Sequence, residues 1–384
     1  MSKVLGLSFG RKMSNCEVMV KHALNACKEA GHEVQFIRVN DLDIKDCTGC
    51  IACTVGMIMG KRGDCVLKDD FHILDEAMME ADAIIYGCPT FEMTPTGTFK
   101  TVCDRLGPSH DISFRKVAIE EGLAAGKSPE QLPDMRSLKP RVGAFFSVGG
   151  AMTKNWLAFM LPTMYCMSMS QGIDIVDTFE YHGAMAYNHV VGNQPMMDRS
   201  WKMGENVADA LAHMDDENER SRWRGDHEGV CPVCHCDMLT VSNGGEVVEC
   251  PVCGIYGTAS IVDGKLKVHF SEAEQARSRL TYAGKLEHST EIKTCAAPPG
   301  QIPNLPELLA PFKWEDSVHH PTGCPTRRTP CFCLKNLILF PFSPLISFQC
   351  TKFFLYLTFL FTLYGTFGIM DIRYIYKGGR PYAS

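Results

Sequence analysis

Short apolar runs separated by amphipathic stretches fill the chain as far as about residue 212. The runs are Val4–Phe9, Val34–Val39, Ala83–Gly87, Val142–Ser147 and Ile173–Asp177. Between the first two, CEVMVKHALNACKEAGHEV sets Val18, Ala23, Ala26 and Cys27 at helical spacing and stops at Gly31. Strands alternating with helices predict an α/β fold: a doubly wound, five-stranded parallel sheet covered on both faces.

Polar residues collect in the loops after these strands. SFGRKMSN, residues 8–15, follows the first. Its Ser8, Ser14 and backbone N–H groups would meet at a helix N-terminus, where unpaired amides and the dipole favour an anion. The plainer role is that Ser14 or Asn15 caps the first helix. CPTFEMTPTGTFKTVCDR, 88–105, and SVGGAMTKNW, 147–156, follow two further strands. In an open α/β sheet, ligands bind in the crevice formed by such loops. The first loop has neither the G-x-G-x-x-G of a dinucleotide site nor the G-K-[ST] of a P-loop, so a phosphomonoester suits it better than a pyrophosphate.

The pattern changes beyond residue 212. Residues 213–229 read as a polar linker, 230–270 as a compact cysteine-bearing module and 271–312 as a linker or helical extension. Residues 313–384 form an atypical apolar tail with eight Lys/Arg against three Asp/Glu. Its run FFLYLTFLFTLYGTFGIM has eighteen uncharged residues, a marginal length for a membrane span, while Pro341 and Pro344 break the run before it. A membrane anchor, a buried or oligomeric segment and a stretch without a role are the three readings, the last being favoured.

Charge and cysteine usage narrow the function. The 384 residues carry a formal charge of −6, which gives no overall signature of a nucleic-acid partner. No secretory leader opens the chain, so the expected location is cytoplasmic. Nineteen cysteines, clustered as C-x-x-C units in a long chain, point to metal or redox chemistry in a reducing compartment. Cys231, Cys234, Cys250 and Cys253 form two CPVC knuckles with fifteen residues between them, joined by a hairpin-like LTVSNGGEVVE. That spacing predicts a zinc ribbon with a closed, structural zinc site; rubredoxin-like iron is the minority alternative, and Cys236 is a spare. Cys47, Cys50 and Cys53 stand at C-x2-C-x2-C, and eleven residues separate Cys53 from Cys65. A [4Fe–4S] cluster, a redox-active thiol set and unligated remnants are the alternatives.

The motifs LSFGRKMSN, CTGCIAC…GDCVLKDD, GCPTFEMTPTGTFKTVCDR and SVGG resemble the NADPH-dependent FMN reductase and iron-sulfur flavoprotein branch of the flavodoxin-like superfamily. The resemblance covers roughly residues 1–212. It implies a flavodoxin-like sheet, FMN at the strand ends, NAD(P)H or a ferredoxin-like donor as electron source, and a homodimer or homotetramer. Arg11, Ser14 and Asn15 match the family's phosphate loop, with Ser8 one position early and Cys16 in place of its last threonine. Pro89, Thr90, Phe91, Glu92, Met93 and Thr94, with Ser147, Gly149 and Gly150, are the expected flavin-ring contacts. Lys100, Asp104 and Arg105 are expected on the helix surface or anchoring loops. The resemblance also places the cluster at Cys47, Cys50, Cys53 and Cys65.

The expected function is an FMN-dependent oxidoreductase passing electrons from NAD(P)H or a ferredoxin-like protein to a small organic acceptor: a quinone, nitro-aromatic, enone or free flavin. An iron-sulfur electron-transfer flavoprotein with a protein partner is the alternative, and a non-catalytic zinc-ribbon scaffold is a third reading. The flavin itself does the redox chemistry. Tyr181, His182 and His189, in FEYHGAMAYNHVVG beyond the fifth strand, could reach a bound substrate, and His182 is the weak candidate for a proton donor. The segment 107–137 is expected over the flavin crevice or at a subunit interface.

Overall fold

A computed structural model describes residues 1–185, 188–296 and 304–313. The tail after residue 313, and every expectation attached to it, lies outside the described residues. No helix among the described residues is long and apolar enough to cross a membrane.

Five parallel strands form the main sheet: β1 (Lys3–Ser8), β2 (Glu33–Arg38), β3 (Ala83–Phe91), β5 (Arg141–Val148) and β6 (Ile173–Tyr181). Their order is β2-β1-β3-β5-β6, and the short β4 (Thr94–Pro95) folds back antiparallel on the end of β3. This is the flavodoxin-like arrangement, and its order reverses beside β1 and β3, opening a crevice at their carboxyl ends. Helices α1 (Asn15–Glu29) and α7 (Gln194–Leu211) cover one face. On the other lie α3 (Phe71–Glu80), α4 (Gly97–Leu106) and α6 (Met160–Met169); α2 (Ala52–Ile58) and α5 (Ile112–Ala124) complete this part of the chain.

Local chemistry explains the close packing. A Cβ on Gly204 of α7 would stand 2.1 Å from the carbonyl oxygen of Ala23, so only glycine lets α7 press against α1 here. Cys27 uses that approach, donating its thiol to the Gly204 carbonyl at 3.3 Å. On β5, Arg141 is fully buried and gives its guanidinium protons to six backbone carbonyls, among them Met79 at 2.9 Å and Arg136 at 2.8 Å. Burial pushes its pKa down to about 10.

The segment 213–229 is held firmly to the sheet. It contains α8 (Glu217–Ser221); Arg220 pairs with Asp174 at 2.8 Å, and the Arg224 amide bonds the Val176 carbonyl at 2.7 Å. It thus runs as a strap along the β6 edge. Beyond it, β7 (Thr240–Ser242), β8 (Val247–Cys250), β9 (Ile255–Val262) and β10 (Lys265–His269) form an antiparallel sheet in the order β10-β9-β8-β7. Its Cys231, Cys234, Cys250, Cys253, Ile255 and Phe270 belong to the same apolar cluster as Phe145, Met164 and Tyr165 of the main domain. Helices α9 (Glu272–Ala276) and α10 (Tyr282–Ala296) follow, and α10 returns to the main domain: Ser113 of α5 donates to the Lys285 carbonyl at 3.0 Å. Within the 107–137 excursion α5 therefore meets α10, and none of the excursion's residues lines the crevice at the strand ends.

Candidate functional site

At the carboxyl ends of β1, β3 and β5 the loops enclose a cavity of about 660 Å³. Of the residues singled out in the sequence, Arg11, Ser14, Asn15, Pro89, Thr90, Phe91 and Gly150 line it. Phe9, Met13, Cys16, Asn40, Thr96, Thr98, Ala184, Met185 and His189 line it as well.

The first loop is built as a cradle. Met13 takes a left-handed φ of 54°, the Ser14 amide bonds the Arg11 carbonyl at 3.1 Å, and Ser14 caps α1 through the Glu17 amide. A Cβ on Gly10 would lie 2.3 Å from Ser14 Oγ, so glycine keeps the hollow open. Ser8 is buried beneath the loop, its Oγ accepting the Gly10 N–H at 3.2 Å; it shapes the cradle from below. Asn15 spends its side-chain oxygen on the Val190 amide at 2.9 Å, joining the loop to the segment after β6. Asn40 donates to the Phe9 carbonyl at 3.0 Å and does similar work from the far side. Its contribution was hidden in the sequence because no motif surrounds it.

The second loop turns at Glu92 and Met93, both at positive φ (48° and 68°), closing the β3–β4 hairpin. Phe91 stands 65 % exposed at the cavity mouth. Thr90 Oγ1 and Ser147 Oγ are buried without a partner, in the loops expected to edge the flavin ring. Gly149 bonds instead to β6, its amide reaching the Tyr181 carbonyl at 2.9 Å. A glycine-formed anion cradle, unpartnered hydroxyls and an aromatic wall fit FMN. Arg11, Ser14 and the loop amides would hold its phosphate, with Phe91 and the Gly150 backbone beside the ring. Cys16, where the resemblance expects threonine, is a neutral thiol whose pKa burial drives well above the usual range, so no charge opposes the phosphate.

His189 replaces His182 as the histidine of this cavity. Its Nδ1 accepts the Val191 N–H at 3.4 Å, leaving the ring proton on Nε2, 3.0 Å from the Met13 carbonyl. Nε2 thus ties the histidine to the first loop while Nδ1 caps the turn at Val190–Gly192. His182, the proton-donor candidate, lines a different cavity beside Glu180.

Lys100 and Asp104 form an exposed pair on α4. Arg105 is buried and anchors a loop, as expected: it donates to Asp69 at 2.5 and 3.2 Å and to the Lys45 carbonyl at 3.0 Å. Cys47 and Cys50 lie exposed, with Cys53 and Cys65 half-buried. These four sulfurs do not form a close single-ion ligand set.

Cys231, Cys234, Cys250 and Cys253 are gathered. All four are buried and their sulfurs lie within 4.8 Å of one another, the one such set among the described residues. Cys231–Cys253 is 3.7 Å and Cys234–Cys250 3.4 Å, near the roughly 3.8 Å edge of a tetrahedron with metal–sulfur bonds of about 2.3 Å. Cys231 is pushed down and Cys234 up, each first by the hydrogen bond between them. Such a proton-sharing set can hold a metal ion. Cys236 stays outside it, accepting the Met238 N–H at 3.3 Å.

Residues 3–169 match the family described as NADPH-dependent FMN reductase. "Flavone synthase cfoJ" of Aspergillus candidus is 29 % identical over 298 residues, 76 % of this chain and 88 % of that protein. An "Iron-sulfur flavoprotein" of Archaeoglobus fulgidus is 36 % identical over 103 residues, 27 % of this chain and 48 % of that relative. Among solved structures, a "flavone reductase" superposes with a TM-score of 0.68 at 25 % identity, covering 83 % of this chain and all of that one (100 %). The β2-β1-β3-β5-β6 sheet and a cradle that fits FMN agree with these likenesses: the chain is similar to NADPH-dependent FMN reductases over residues 3–169 and to iron-sulfur flavoproteins over a shorter stretch, as a flavin oxidoreductase.

Proposed function

We propose that the chain reduces the conjugated enone of a planar, flavone-like substrate, using FMN and NAD(P)H. The observation that carries this is the mouth of the flavin cavity, where Met13, Phe91 and Met185 are 59 %, 65 % and 60 % exposed. Three large apolar side chains around an open site suit a flat aromatic molecule laid over the ring. Two relatives, named for forming and for reducing a flavone, support the same substrate class.

FMN bound there would supply hydride chemistry. The protein's share is to hold and shield. Arg11 and Ser14 retain the phosphate, and the Gly150 backbone approaches the ring without a Cβ. Phe91, Met13 and Met185 exclude water from one face of the acceptor. In balance, the enone takes a hydride at its β-carbon and a proton at its α-carbon while NAD(P)H becomes NAD(P)⁺. His189 is committed to Met13 and Val191, so the proton is assigned to solvent. In this reading the Cys231–Cys253 set holds zinc with no open position, as a structural centre.

The test is an anaerobic assay with NADPH or NADH and a hydroxylated flavone, following loss of the conjugated absorbance. Consumption of NAD(P)H only with quinones or free FMN would overturn the substrate class. A second reading, an iron-sulfur electron-transfer flavoprotein, is favoured by the Archaeoglobus relative and the C-x2-C-x2-C run. It requires the segment 47–65 to close around iron. Anaerobic reconstitution with iron and sulfide that leaves a flavin spectrum alone would sink it.

A further inference from the structure

A second cavity, of about 610 Å³, lies between α6, the end of β6, the 223–229 strap and the knuckle at Cys234–Met238. We propose that it is a separate binding site for a neutral hydroxylated aromatic molecule. This goes beyond the redox reading and does not depend on it.

The lining chooses the ligand. Leu161, Pro162, Phe179 and Met238 supply apolar surface. The charged residues around them neutralise each other: Lys154 pairs with Asp237 at 2.7 Å, and His227 lies 2.9 Å from the same carboxylate. An anionic ligand therefore meets cations already engaged. Arg199 is the most informative of these. Its NH1 and NH2 donate to Asp177, NH1 at 2.8 Å, its Nε meets Asp226 at 2.6 Å, and its Cζ sits 4.5 Å from the centre of the Phe179 ring. With the edge donors spent, the guanidinium offers the cavity its plane, which stacks on an aromatic ring. Glu180 supplies the polar contact. Its Oε2 is 3.4 Å from His182 Nε2, its side chain is 11 % exposed, and Oε1 has no protein donor among the described contacts. A carboxyl oxygen so placed accepts an O–H. Apolar walls with a few convergent polar groups in a volume of this order are what small-molecule sites are made of.

The site shares its wall with the flavin cavity. Val148, Gly150, Ala184 and Met185 face the flavin side; Lys154, Asn155, Glu180 and His182 face this one. The two segments are stitched together by Gly183 N–H to the Ala151 carbonyl at 2.8 Å and Ala184 N–H to the Gly149 carbonyl at 2.9 Å. An occupant would press on the same backbone that approaches the flavin ring.

The experiment is calorimetric titration of the FMN-loaded protein with resorcinol, with benzoate and cyclohexanol as controls. One resorcinol per chain is expected, at least tenfold tighter than either control. Ala158→Phe, which fills the cavity, and Glu180→Leu should each weaken binding at least tenfold while FMN absorbance stays unchanged. Absence of resorcinol binding, or binding that both variants leave intact, would overturn the site. Because Ala158 does not line the flavin cavity, flavone reduction measured on Ala158→Phe reports on the redox reading separately.

Discussion

Tyr165 of α6 donates its hydroxyl to the backbone carbonyl of Cys234, 2.5 Å away, inside the first knuckle of the four-cysteine set. Tyr165 is buried and stands edge-on to Phe145 of β5, 5.0 Å between ring centres. Phe145 in turn stacks on Tyr86 of β3 at 4.9 Å. The metal knuckle is thus fastened to the centre of the flavin-binding sheet.

From this contact, Tyr165→Phe is expected to lower stability by about 1–2 kcal/mol, since it removes one buried hydrogen bond and leaves a carbonyl unpaired. Metal should be lost to a chelator several-fold faster, and FMN should remain. Urea unfolding and timed chelation check both. An unchanged rate of metal loss would show that the tyrosine does not steady the knuckle.

Removing a ligand has a larger effect. Cys231→Ser should release the metal and raise hydrogen exchange across residues 231–270, because the small sheet has few buried side chains apart from those packed with the cysteines. The flavin spectrum should survive. Metal analysis expects about one zinc per chain, as four thiolates favour; stoichiometric iron in its place would turn the centre into an electron-transfer site.

Strand-length apolar runs made the main sheet readable, and loops placed after those runs led to the flavin cradle at Arg11, Ser14 and Thr90. Nothing local marked Asn40, and His189 was marked only as a residue near the substrate, not for its bond to the first loop. They matter because the fold brings segments 39–40 and 189–191 against the first loop, and side-chain bonds to backbone carbonyls leave no spacing signature. His182 lies elsewhere: with Thr178, Phe179 and Glu180 it lines the cavity beside α6, and no spacing in the sequence tells which of two neighbouring cavities the end of β6 serves. The polar composition of 213–229 suggested a linker, and its arginines pair with Asp174 on β6 and Asp209 on α7.

Arg11 is the cationic residue of the phosphate cradle. Arg11→Ala is expected to weaken FMN binding roughly ten- to a hundredfold by deleting a charge-assisted contact worth about 1.5–3 kcal/mol. The fold should be unaffected, since the side chain is exposed. Fluorescence titration of apoprotein with FMN measures this, and equal affinity would remove Arg11 from the site.

Acid stability should hinge on Glu17, in the first turn of α1. Its side chain is only 1 % exposed and is gripped by Arg38 at 2.7 Å and Lys21 at 2.6 Å. The hydrogen bond from Arg38, above the others, holds its pKa down to about 2, against an ordinary 4.5. A carboxylate depressed in the folded state favours folding fully above the unfolded value and progressively less as pH falls through the folded one. The window is therefore between about pH 4.5 and 2, and the shift amounts to roughly 3 kcal/mol. Glu17→Gln should remove most of that amount at pH 7 and flatten the stability–pH curve across this window. Chemical denaturation at stepped pH decides it: a variant losing stability between pH 4.5 and 2 as steeply as the parent would assign the acid limb to other carboxylates.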